Sequence, residues 1–142
     1  MVSWLLFAIL SAVSAALVSI FGKIGLQNID ANTATAIRAI IMAIFLVGVV
    51  AFQGNLGKIP DIIGEKKAIL FISLSGVAGA TSWLFYFLAI KVGKVSQVAP
   101  IDKLSVVIAT ILAILFLGEK ISFINGIGVL LITLGVILTA LN

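Results

Sequence analysis

The sequence predicts an all-α integral membrane protein with five transmembrane helices, and three observations carry that prediction. Of its 142 residues, 63% are hydrophobic and only 10% are charged, with a mean hydropathy of +1.37, whereas soluble domains carry roughly 25% charged residues. A soluble domain of this size leaves much of its surface exposed and cannot hide so much apolar area. Five apolar runs, at 2–21, 34–52, 68–90, 96–117 and 121–141, are each long enough to cross about 30 Å of hydrocarbon, which takes roughly 20 helical residues. Little hydrophilic sequence is left over, so residues 1–142 read as a single five-helix domain.

The first run contains Ser11-Ala12-Val13-Ser14-Ala15-Ala16, small residues like those of a cleavage site. No Lys or Arg precedes them and the run continues to Phe21, so this segment is expected to remain as a helix rather than be removed. It stops at Gly22-Lys23-Ile24-Gly25, followed by Asn28 and Asp30. The second run carries Arg38 one turn inside its start. Residues 53–67, with Pro60, form the one connection roomy enough for an interfacial turn of helix. The third run ends in Trp83, Phe85, Tyr86 and Phe87 before Lys91-Val92-Gly93-Lys94; such aromatics favour the membrane interface. The fourth holds Pro100, Asp102 and Lys103 and closes on Gly118-Glu119-Lys120. The fifth presents Gly128, Gly135 and Thr139, small residues that let membrane helices approach closely, and is expected to make the contact between protomers.

Composition removes several kinds of chemistry. With no Cys and no His there is no thiolate, disulfide, imidazole base or common zinc site, so no metal or other cofactor is expected. Gly22-Lys23-Ile24-Gly25 lacks the spacing of a phosphate loop, and Gly126-Ile127-Gly128 lies inside an apolar run. No enzyme is expected. The net charge of +4 comes from basic residues scattered mostly at the edges of the apolar runs, which suits lipid headgroups better than nucleic acid.

An odd number of spans puts the termini on opposite sides of the membrane. The N-terminal side receives Lys58, Lys66, Lys67 and Lys120, and the other side Lys23, Arg38, Lys91, Lys94 and Lys103, a tally of four against five. Orientation follows the Lys/Arg excess, so this chain has almost no preference. It is therefore expected to insert both ways and to pair with an inverted copy of itself, giving the inverted-repeat symmetry of many transporters.

Within the runs only Arg38, Asp102 and Lys103 are charged. Such residues are costly in hydrocarbon and tend to face a cavity or one another. Neighbours on a helix point about 100° apart, so Asp102 and Lys103 are expected to seek separate partners, with Arg38 or a Lys of the inverted copy as candidates for Asp102. Pro100 either starts the helix, placing Asp102 in a favourable first turn, or breaks it and exposes backbone to a watery cavity. A carboxyl group whose alternative is hydrocarbon tends to hold its proton, which makes Asp102 the candidate proton-coupling residue.

The pattern of Lys23-x-Gly25-Leu26, Asp30, Arg38, Ala99-Pro100, Gly118-Glu119-Lys120, Asn125-Gly126-x-Gly128 and Gly135 over five spans resembles one repeat of the EamA family in the drug/metabolite transporter superfamily. Most members carry two such repeats, inverted within one chain, so the resemblance implies a half-transporter completed by pairing. The related small multidrug resistance proteins use an acid in the first helix; this chain has none there. The function expected is secondary transport, as an exporter of small organic metabolites or drugs in a prokaryotic inner membrane, by alternating access of an antiparallel homodimer. Ser11, Arg38, Trp83, Tyr86, Gln97, Asp102 and Lys103 are the candidate substrate-binding residues. A cavity of this kind would suit a zwitterion, a cation or an aromatic amine. The alternatives are a non-transporting accessory subunit of a larger membrane complex and a lipid-headgroup translocator.

Overall fold

The computed structural model describes residues 3–141; the expected start of the first span at Val2, and Asn142, lie outside them. Among the described residues there is no strand, and five helical segments are long and apolar enough to cross a membrane. The contacts within the chain fall into two units, Gly22–Lys91 and Met1–Phe21 with Val92–Asn142.

The unit Gly22–Lys91 begins with the last turn of α1 (Ser3–Gly25). The helix runs through Gly22 and Lys23, where a break was expected, because an isolated Gly weakens a helix without ending it. The chain reverses at Asn28, whose φ of 62° lies in the left-handed region that Asn tolerates better than most residues. Asp30 then starts α2 (Ala31–Phe52), three residues earlier than the apolar run. Its carboxylate accepts hydrogen bonds of 2.8 Å from both the Thr33 backbone N–H and the Thr33 hydroxyl, which satisfies donors that every helix N-terminus leaves free. At the other end Gly54, at φ 71°, closes α2: its N–H donates to Ala51 and that of Asn55 to Val50, the paired bonds of a Schellman stop. A 3-10 turn (Leu56–Lys58) and α3 (Ile59–Gly64), opened by Pro60, occupy the roomy connection. The long α4 (Lys66–Val92) has 27 residues, about 40 Å at 1.5 Å per residue, so its ends extend past the hydrocarbon.

The few well-buried side chains of this unit are Leu26, Ala31, Thr35, Tyr86, Phe87 and Ile90. They lie near the α1–α2 turn and on the last turns of α4. Most other large apolar side chains point outward, Phe45 being 69% exposed and Phe52 97%, as lipid-facing positions should be.

In the other unit the fourth span is not one helix. It runs as α5 (Val95–Asp102), α6 (Leu104–Leu112) and a π-turn (Ala113–Leu117). Pro100 sits inside α5 rather than at its start; it removes the N–H that would have bonded the Ser96 carbonyl, and the ladder fails three residues later at Lys103. There the N–H reverts to a tighter bond with the Pro100 carbonyl, and the ladder restarts when Val106 donates to Lys103, both at 3.0 Å. The span ends when Gly118 turns left-handed at φ 67° and the N–H groups of Gly118 and Glu119 both reach the Ala113 carbonyl. The last helix, α7 (Phe123–Ala140), is capped by the Ser122 hydroxyl, which accepts from the Asn125 N–H at 3.2 Å. It packs on both α5 and α6.

Candidate functional site

In the unit Gly22–Lys91, Arg38 lies seven residues into α2, about 10 Å along its axis. That is deeper than one turn, because the helix starts earlier than the apolar run. The guanidinium carbon sits 3.8 Å from the Trp83 ring centroid and 5.0 Å from that of Phe87. Trp83 and Phe87 are four residues apart on α4, hence on one face, and their centroids are 5.8 Å apart. Tyr86 is buried and meets both rings edge-on, at 5.7 Å from Trp83 and 6.1 Å from Phe87. Aromatic faces attract a cation through their quadrupole, most strongly for Trp and when water is excluded. Among the described residues, no carboxylate pairs with Arg38.

Arg38 and Trp83 line a groove of about 700 Å³ between α2 and α4. Asn32 and Thr35 add polar atoms, and Met42, Leu46, Gly76 and Gly79 supply apolar wall. The Thr35 hydroxyl donates 2.7 Å to the Ala31 carbonyl of its own helix. A groove with apolar walls and a few placed polar groups is the usual form of a small-molecule site.

The same unit is tied together by basic residues that sequence reading assigned to loops. Lys23 donates to the Ile90 carbonyl at 2.5 Å and to the Lys91 carbonyl at 3.3 Å, while Lys91 donates to the Ile29 carbonyl at 2.8 Å. The Lys23 ammonium thus satisfies last carbonyls of α4, while that of Lys91 ties the end of α4 to the α1–α2 turn, and both suit the helix dipole.

In the other unit Asp102 and Lys103 pair with each other, Oδ2 to Nζ at 3.4 Å. This corrects the expectation that each needs a separate partner. The 100° rule holds along a continuous helix, and here the helix is interrupted between these two residues, so the long Lys side chain folds back onto its neighbour. Both remain open, with side chains 36% and 54% exposed.

The remaining candidates stand apart from these features. Ser11 is exposed on α1 and Gln97 half-buried on α5. A second groove, about 810 Å³, runs between α6 and α7 and is lined by Thr110, Glu119, Asn125 and Gly128, among others. Glu119, where the fourth apolar run closes, is among the residues that line it.

Phe87 is the site residue that sequence reading passed over. Its signal was present in the four-residue spacing from Trp83, but a general account of the aromatics as an interfacial belt absorbed it.

Three comparisons bear on identity. The model of the EamA-like transporter family matches residues 2–141. A relative from Sinorhizobium sp., named as an uncharacterized transporter in the cobO 3' region, is 43% identical over 138 residues, covering 97% of this chain and 96% of the relative. An uncharacterized protein of Methanocaldococcus jannaschii is 32% identical over 81 residues, or 57% of this chain and 59% of that protein. No solved structure matches. A continuous match over the five spans, together with 43% identity along nearly the full length of a named transporter, shows that this chain belongs to the EamA-like transporter family.

Proposed function

We propose that the protein is half of a secondary transporter that exports small organic solutes from a prokaryotic cell across its inner membrane. Two copies in opposite orientation would complete the machine and alternate access between the two sides. The observation that carries this reading is the Arg38–Trp83 groove. A charged group held on aromatic rings two turns inside a membrane span is costly to keep there unless it is used.

In this reading Arg38 and Trp83 touch the solute, and Tyr86 holds the Trp83 ring from its edge. Ser11 and Gln97, in the other unit, are proposed as substrate-binding residues in their own right. Asp102 and Lys103 are the proposed coupling pair: a proton taken by the Asp102 carboxylate neutralises it and releases Lys103. The helix break between them supports this role, because backbone interrupted at membrane depth is tolerated where it lines protein or water rather than lipid.

Reconstitution tests the proposal. Purified protein in liposomes, with an imposed pH gradient, should accumulate or release members of a panel of amino acids, organic acids and hydrophobic amines. Absence of gradient-driven flux for all three classes would leave the accessory-subunit reading in its place.

A further inference from the structure

We infer that the α2–α4 groove selects a small organic carboxylate with an apolar or aromatic body. The inference deepens the transporter reading, on which its biological use rests, by naming the class of solute. Of the residues that line the groove, Arg38 is the one that carries charge, and there is no Asp or Glu among them. A cation entering here would meet like charge and no counter-ion. The ammonium of a zwitterion would be stripped of water without a partner, which is expensive.

A carboxylate has the opposite fate. The guanidinium carbon lies over the Trp83 and Phe87 rings, 3.8 and 5.0 Å from their centroids. A guanidinium has five N–H donors, more than two ring contacts can occupy, and its fork matches a carboxylate at two points. Such a charge-assisted pair is also stronger where water is scarce. The rest of the groove then accepts the body of the solute. Gly76 and Gly79 have no side chain, and a Cβ placed on either would meet nothing within 4 Å, so α4 leaves width opposite Met42 and Leu46. A volume of about 700 Å³ holds a single-ring carboxylate with room to spare.

The test uses the full chain in detergent with Trp4→Phe, which leaves Trp83 as the one tryptophan of two and makes its emission a report on the groove. Phenylacetate, phenylacetamide and phenethylamine share a body and differ in charge. Phenylacetate should change the emission saturably at a concentration at least tenfold below that needed for the other two. Arg38→Gln should abolish this preference. Gly79→Leu, which meets open space at its Cβ, should block binding of all three and so covers the case of an Arg38 variant that fails to fold. Equal or tighter binding of the amine or the amide to the otherwise unaltered chain would overturn the inference. So would displacement of phenylacetate by phosphatidylglycerol but not by phosphatidylcholine, since the guanidinium would then belong to lipid headgroups. Phenylacetate binding without flux in liposomes would overturn the transporter reading and leave the site standing; flux with no preference for the carboxylate would do the reverse.

Discussion

The ammonium of Lys23, near the end of α1, donates to the backbone carbonyl of Ile90 on the last turn of α4, 67 residues away in sequence. A second bond runs from the same nitrogen to the Lys91 carbonyl. The last carbonyls of a helix have no partner within it, and here the charge of Lys23 supplies one. Lys23→Met keeps the apolar stem and removes the donor. It should lower stability by about 1.5–3 kcal/mol, the range for hydrogen bonds to charged groups, read as a lower midpoint of thermal unfolding in detergent. Lys23→Arg should recover most of the loss, and equal destabilisation by both variants would show that stem packing, not the bond, matters.

Gly22 stands one residue earlier and faces α4 at closer range. A Cβ at this position would run into the Phe87 ring and touch the end of the Ile90 side chain. Both of those residues are well buried, Ile90 fully so, and cannot swing aside freely. Gly22→Ala gains helix propensity of about 1 kcal/mol but should be outweighed by overpacking, typically 1–3 kcal/mol. The net expectation is a modest loss of stability. Because Phe87 supports Arg38, the variant should also weaken solute binding. Gly25→Ala is the control, since its Cβ meets nothing within 4 Å.

Asp30 gives the α1–α2 turn a dependence on pH. Hydrogen bonds from the Thr33 N–H, first, and from the Thr33 hydroxyl hold its carboxyl below the usual carboxylate range, with a smaller contribution from Lys91. A folded-state pKa lower than the unfolded one means that the carboxylate adds stability above the unfolded value, about pH 4. That contribution disappears as pH falls through the folded value. Unfolding midpoints of the wild type and of Asp30→Ala should therefore differ at neutral pH and converge as the pH falls below about 4. A gap that stays constant with pH would assign the effect to backbone geometry at the helix start.

The sequence made the spans plain because hydrocarbon demands long apolar runs and tolerates little else. Helix ends were less legible. Asp30 and Ser122 are capping residues by type, yet the apolar runs alone put the second helix three residues late and the fifth two residues early. The break in the fourth span was announced by Pro100 but falls at Lys103, where the hydrogen-bond ladder fails before Val106 restarts it. Its consequence, the Asp102–Lys103 pair, follows from local backbone that no periodicity encodes. The roles of Lys23 and Lys91 depend on carbonyls brought near them by the α1–α2 turn and the end of α4, so a list of residue types shows them as loop charges.

That pair sets a further prediction. With Asp102 the proposed proton acceptor, Asp102→Asn keeps size and hydrogen bonding while removing the titration. Flux should no longer respond to a pH gradient, and the thermal midpoint is read alongside because Lys103 loses its counter-charge within the span. Counterflow, which exchanges solute for solute without net proton movement, should persist. Unchanged gradient dependence in the variant would place coupling at another group.

The charge tally predicts how the chain enters the membrane. With four basic residues on one side and five on the other, a C-terminal fluorescent reporter that matures only in the cytoplasm should give signal. A C-terminal alkaline phosphatase, active only outside it, should give signal too. Gln53→Lys with Gly57→Lys turns the tally to six against five. Both positions lie in the connection between α2 and α4, and a Cβ at Gly57 meets nothing within 4 Å. The positive-rich side stays in the cytoplasm, so the C-terminus should move outward, raising phosphatase activity and lowering fluorescence. If inverted pairing is required, transport should fall as one orientation comes to dominate. Co-expression with a variant biased the other way, by neutral substitutions at Lys66 and Lys67, should restore it. A wild-type chain with one clean orientation would rule out the self-inverted pair, whatever the variants do.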